Sequence, residues 1–184
     1  MTPTADVRFT RIYETHYADV MAYCGRRVNR ADAEDATNEV FVVLWRRMDQ
    51  FDDEMPLPWL YGVAYRTIAN RRRGAQRRFR LVERLRGVRH RSAEAAEDVV
   101  VRRERDRVVI DAMSRLSPTD QEVLRLAAWE ELSAPLIAEV MECSVAAAEQ
   151  RVHRAKKRLG REIPDSVNPI VFAPLPIEEG GGHV

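Results

Sequence analysis

The sequence predicts an all-α fold, arranged as two small helical domains joined by a flexible linker. Three observations carry that prediction. Apolar residues recur at steps of three and four along most of the chain, and no run alternates apolar with polar residues as a half-buried strand would. Side chains that cap helices precede several of these periodic segments. The length of 184 residues suits one compact domain or two small ones and excludes a large multidomain enzyme. With 45% hydrophobic and 32% charged residues and only 8 Gly and 9 Pro, the composition excludes a collagen-like, disordered or membrane-spanning chain.

The first helix is expected from about Phe9 to Val28, with Ile12, Tyr13, Tyr17, Val20, Met21 and Cys24 on its apolar stripe. Asn29 then caps a second helix, and Asp32 stands three residues on, where its side chain can reach back to the backbone amide of the cap. That helix continues to about Met48. Ala33, Ala36, Val40, Leu44 and Met48 face inward, while Glu34, Asp35, Asn38, Glu39, Val42 and Arg46 face away. The stretch FDDEMPLP, residues 51–58, holds two prolines and three acids and is expected to be a loop. A third helix starts at about Trp59 with Leu60, Ala64, Ile68 and Ala75 inward, and residues 79–86 extend it by a further turn or two. This gives a first domain over 1–86.

Residues 87–98 mix charges and small residues without an apolar stripe and are assigned as the linker. A second domain, 99–163, opens with a helix from near Asp98 to Leu116. Ser117, Pro118 and Asp120 start the next one: a hydroxyl cap, a proline whose missing amide costs nothing at the first position, and an acid at the positive end of the dipole. Ser133 and Ser144 cap two more helices, with Leu136, Ile137, Val140 and Met141 inward in one and Ala148, Val152, Ala155 and Leu159 inward in the other. The tail, 164–184, is rich in Pro and Gly, lacks periodicity and is expected to lack regular structure.

The formal net charge of +1 conceals an asymmetry. Between Arg66 and Arg91 stand 11 arginines against the single acid Glu83, and from Glu149 to Arg161 six Lys or Arg against one Glu, whereas residues 32–53 are acid-rich. Two separate basic stretches point to a polyanion touched in two places, with a different partner for the acidic segment. Helices at about 134–142 and 145–160, joined by about two residues, have the spacing of a helix-turn-helix. The outer face of the second carries Ala147, Gln150, Arg151 and Arg154 near its start, where side chains reach base edges, followed by Lys157 and Arg158 for phosphates. The third helix places Trp59, Gly62, Arg66, Asn70, Arg73 and Arg77 on one outer face. An aromatic followed by cations suits a melted duplex, where the ring stacks on an unpaired base and arginines hold the backbone; the alternative for Trp59 is a core anchor.

No cofactor is expected and no metal site. The histidines His16, His90, His153 and His183 are scattered, no phosphate-binding glycine loop occurs, and Cys24 and Cys143 lie 119 positions apart outside any CxxC. The first 20 residues hold Asp6, Arg8 and Arg11 without an apolar stretch, and no 18-residue apolar run occurs, so no membrane span is expected and the protein is placed in the cytoplasm.

The stretches DAEDATNEVFVVLWRRMDQF at 32–51, PWLYGVAYRTIANRRR at 58–73 and LSPTDQEVLRLAAWEELSAPLIAEVMECSVAAAEQRVHRAKKRL at 116–159, in this order and spacing, resemble the extracytoplasmic function (ECF, group IV) sigma factors of the sigma-70 family. The resemblance implies a non-catalytic specificity subunit that binds bacterial RNA polymerase core at its clamp helices and reads promoter DNA. By the same resemblance, Asp35, Asn38, Glu39 and Val42 face the core polymerase. Trp59, Arg66, Asn70, Arg73 and Arg77 act at the -10 element, and Ala147, Gln150, Arg151, Arg154, Lys157 and Arg158 at the -35 element. The family adds an anti-sigma factor as a candidate partner, and the apolar tail VNPIVFAPLPIEEGGGHV is a candidate for partner docking or self-packing. Some positions depart from the family pattern. Gly62 stands where Arg is usual, Arg66 where Asn is frequent and Asn70 where Asp is common. Glu142 stands in place of a turn glycine, Ala147 in place of Thr and Glu149 in place of Lys. The last three imply an unusual or weaker -35 interaction.

Overall fold

A computed structural model of the protein describes residues 4–51, 54–86 and 104–163. The linker expected at 87–98, the tail from 164, and Asp52 and Asp53 of the expected loop lie outside the described residues. Among those described there are seven α-helices, one short 3-10 turn and no strand. They are α1 (Ala5–Gly25), α2 (Arg30–Arg46), α3 (Pro56–Arg86), α4 (Glu104–Ser114), α5 (Pro118–Ala128), α6 (Ala134–Val140) and α7 (Val145–Glu162), with the 3-10 turn at Met48–Gln50. The chain divides into two compact units, one of Met1–Val99 with Leu132–Ala148, the other of Val100–Glu131 with Glu149–Val184. The first unit therefore contains α6, which packs on α3.

In the first unit α1, α2 and α3 touch pairwise. Their shared core is the set the 3.6-residue period selects: Ile12, Val20, Tyr23 and Cys24 from α1, Ala33, Ala36, Val40, Phe41 and Leu44 from α2, and Leu60, Tyr61, Val63, Ala64 and Ile68 from α3. Leu44 and Leu60 are wholly buried, each contributing roughly 1.5–3 kcal/mol of transfer free energy. Stacked Tyr23 and Tyr61 rings, 4.7 Å apart, join α1 to α3. The Arg27 guanidinium lies 3.4 Å over the Tyr23 ring, and Arg72 of α3 donates to the Arg27 carbonyl at 2.6 Å.

Local chemistry explains where these helices begin. Asn29 accepts the Asp32 amide at 2.9 Å, as a cap should. The return contact differs from the expected capping box, because the Asn29 side-chain amide donates to the Asp32 carboxylate. Helix α3 begins at Pro56 rather than Trp59. Both prolines of FDDEMPLP fall in its first turn, where amides have no intrahelical acceptor and a missing one costs nothing. Two expectations on α3 are corrected: Ala75 is exposed, and Gly62 is buried. A Cβ at Gly62 would meet the Val140 carbonyl oxygen at 3.6 Å, so α6 covers α3 at this position.

In the second unit, Ser117 caps α5 by accepting the Asp120 amide at 3.1 Å, with Pro118 at the first position, as expected. Ala112, Met113, Val123, Leu126, Ala155, Leu159 and Ile163 are buried. Helix α5 ends through Trp129, whose amide reaches the Arg125 carbonyl at 2.8 Å, and the following Glu131 adopts a φ of 52°.

Candidate nucleic-acid interface

The acidic surface comes from α2. Asp35, Asn38, Glu39 and Val42 are all exposed, at the positions the helical period assigned to the outer face. The structure adds two residues that sequence reasoning missed. Arg71 of α3 reaches across to this face, its Nη2 3.1 Å from Glu39 Oε2 and its Nη1 3.5 Å from Asp35 Oδ2. Burial works against the charge of this guanidinium, but hydrogen bonds and Coulombic attraction from Glu39, and then Asp35, outweigh it and hold the pKa above its ordinary value. Trp45, 48% exposed, continues the surface one turn beyond Val42, 47% exposed, and meets Phe9 edge to face at 5.2 Å. Trp45 was legible, since 38, 42 and 45 follow steps of four and three. Arg71 was not, because nothing distinguishes it from its neighbours in a run of three arginines.

Along α3 the predicted residues have different surroundings. Trp59 is half-buried, its ring packed on Phe51 at 4.9 Å in a T-shaped contact. It is thus part core anchor and part surface. Arg66 makes an ion pair with Glu142. Arg73 donates to Asn70 Oδ1 at 2.6 Å. Arg77 is exposed. These side chains share one long face of α3, apart from the covered Gly62.

The helix-turn-helix consists of α6, residues 141–144 and α7. Helix α6 stops at Val140, so four residues separate the two helices, more than the two expected. The stop is a Schellman motif: the Cys143 amide reaches the Ala138 carbonyl at 3.0 Å and the Glu142 amide the Glu139 carbonyl at 3.2 Å. Glu142 occupies the left-handed position with φ 50°, so the turn uses a backbone conformation that glycine adopts freely and glutamate does not. Ser133 stands at the cap of α6 without a side-chain cap bond. Ser144 does cap α7, its Oγ accepting the Ala147 amide at 3.2 Å. On α7, Gln150, Arg154, Lys157 and Arg158 are exposed, and Ala147 and Arg151 are half-buried. Arg158 is engaged within the second unit, donating to Asp120. Glu149 is exposed beside Gln150.

Among the described residues, no group of three or more His, Cys, Asp or Glu is placed to hold a metal ion, and no helix is long and apolar enough to cross a membrane. Among the described residues the elements are all helical, and an acidic face, two cationic helices and a helix-turn-helix together are the parts of a DNA-binding class of protein. Comparison with known proteins gives its family. The model described as Sigma-70 region 2 matches residues 12–78, and that described as Sigma-70, region 4 matches residues 106–159. The RNA polymerase sigma factor YlaC of Bacillus subtilis is 25% identical over 158 residues, covering 84% of this chain and 91% of its own. The ECF RNA polymerase sigma-E factor of Haemophilus influenzae is 26% identical over 164 residues, covering 84% and 87%. The fold is shared with the sigma factor RpoE of Bartonella quintana, solved in complex with the anti-sigma factor NepR, at a TM-score of 0.64 and 20% identity over 84% of this chain and 95% of that one. The chain belongs to the sigma-70 family, as an RNA polymerase sigma factor of the ECF type.

Proposed function

We propose that this sigma factor divides promoter-specific initiation among three surfaces. The exposed face of α2, with Asp35, Asn38, Glu39 and Val42, docks on core RNA polymerase. The face of α3 with Trp59, Arg66, Asn70, Arg73 and Arg77 engages the -10 element and stabilises the opened strand. Helix α7 reads the -35 element through Ala147, Gln150, Arg151 and Arg154, with Lys157 on phosphate. The observation that carries this reading is the order of the parts: an acidic helix, a cationic helix and a helix-turn-helix, in the chain order of the two matched family regions. Residues 1–86 then act as the core-binding and -10 domain and 99–163 as the -35 domain, in the cytoplasm, with no covalent chemistry of their own. The relative solved with an anti-sigma factor supports an anti-sigma factor as a further partner, and the acidic face of α2 is the surface such a partner would cover.

Free protein binds DNA weakly in this reading, because phosphate contacts lose about 0.9 log unit of affinity each per log unit of salt. The test is reconstitution: purified core polymerase is mixed with the chain and with genomic promoter fragments, and transcript starts are sequenced. Core plus chain is expected to start transcription at a defined promoter set, and the charge-reversed pair Asp35→Arg with Glu39→Arg is expected to lose core binding. Transcription at no promoter would overturn the reading.

A further inference from the structure

Arg158 sits on the basic face of α7, and charge alone would assign it to phosphate. Its guanidinium is engaged elsewhere. Nη1 donates to Asp120 Oδ2 at 2.5 Å, and the same oxygen accepts the Ser117 hydroxyl at 2.8 Å. The Asp120 side chain is only 9% exposed, so its charge has little water and depends on these partners. A second ion pair, from Arg115 Nη1 to Glu162 at 3.5 Å, holds the end of α7 one turn further on.

The buried Ala155 and Leu159 already seat α7 in the second unit, and the Arg158 pair adds a further hold against rotation of the helix about its axis. Residues four and seven positions away share the face of the anchor, so holding Arg158 to Asp120 sets the angle at which Arg154 and Arg151 project. We propose that Arg158 is a positioning residue and not a phosphate ligand: its pair with Asp120 clamps the recognition helix to the start of α5 and aims its base-reading side chains. This inference rests on the reading of α7 as the -35 helix.

The test measures binding of the holoenzyme, core polymerase plus full chain, to a labelled promoter fragment across a salt series. Arg158→Gln is expected to weaken binding about tenfold with the salt slope unchanged. Lys157→Gln is expected to reduce the slope by about 0.9, one phosphate contact. Asp120→Asn, which touches no DNA, should weaken binding as Arg158→Gln does, and the conservative Arg158→Lys should restore part of the loss. Both effects should vanish on a fragment with a scrambled -35 element, a result that simple loss of fold would not give. A slope reduced by about 0.9 in Arg158→Gln, together with an unaffected Asp120→Asn, would overturn the proposal while leaving the -35 reading intact. If Arg154→Gln and Lys157→Gln change neither affinity nor slope, the -35 reading fails, and the clamp with it.

Discussion

Glu142 gives the sharpest quantitative prediction, because two opposed terms meet on one residue. Its φ of 50° places a Cβ-bearing residue in the left-handed region at a cost of roughly 1–2 kcal/mol. Replacement by glycine removes that cost but adds unfolded-state freedom worth about 0.4–1 kcal/mol, leaving a gain of roughly 0.5–1 kcal/mol. Against this stands the ion pair with Arg66, whose side chains are 69% exposed for Glu142 and 38% for Arg66. Water screens such a pair to about 0.5 kcal/mol. Glu142→Gly should therefore change stability by roughly 0 to +0.5 kcal/mol in the natural background and by about +0.5–1 kcal/mol beside Arg66→Met, which retains the apolar stem. Urea unfolding of the full chain, followed by circular dichroism for the two single variants and the double variant, reads both numbers. A loss of more than about 1 kcal/mol from Glu142→Gly in the Arg66→Met background would refute the reasoning, since strain relief would then be outweighed by something other than the ion pair.

Three further outcomes are expected. Glu149→Lys should strengthen -35-dependent holoenzyme binding and steepen its salt slope by up to about 0.9, as read by the same salt series; an unchanged slope would place residue 149 away from phosphate. Arg71→Met releases Asp35 and Glu39, and because these pairs are exposed, stability should fall by less than about 1 kcal/mol while core polymerase affinity at low salt rises by up to about fivefold. Titration of labelled chain with core polymerase at two salt concentrations checks this, and a fall in affinity would mean that Arg71 itself helps to form the docking face. Ser117→Ala removes a cap and a partner of the nearly buried Asp120, and thermal unfolding should show a loss of about 1–2 kcal/mol.

The parts of this fold that were legible in the sequence rest on contacts within a few residues. The Ser117–Asp120 helix start is one local exchange of hydrogen bonds, and it stands where the residue types put it. The inward stripe of α2, from Ala33 to Leu44, is wholly buried for the same reason, because a 3.6-residue period needs no knowledge of the partner, while Met48, expected on the same helix, is buried from the 3-10 turn that follows it. Pro56 and Pro58 misled because a proline breaks a helix interior but fits a first turn, and composition alone does not say which is present. Gly62 misled because periodicity can rank faces by polarity, but whether α6 lies over that face is a tertiary fact.

The same boundary divides the cations. A charge count credits every arginine of the two basic stretches to the nucleic acid, yet Arg66, Arg71 and Arg158 pair with Glu142, with Asp35 and Glu39, and with Asp120. A polyanion gains least from a cation already neutralised within the protein, since it must first displace the internal carboxylate. Arg77, Arg151, Arg154 and Lys157 carry no such acid partner among the described residues. They should contribute most of the salt dependence of promoter binding. The paired side chains each hold an internal carboxylate: Arg66 at the turn between α6 and α7, Arg71 on the acidic face of α2 and Arg158 at the start of α5. A chain with a net charge of only +1 thus neutralises some of its cations on its own carboxylates and leaves others without an acid partner among the described residues.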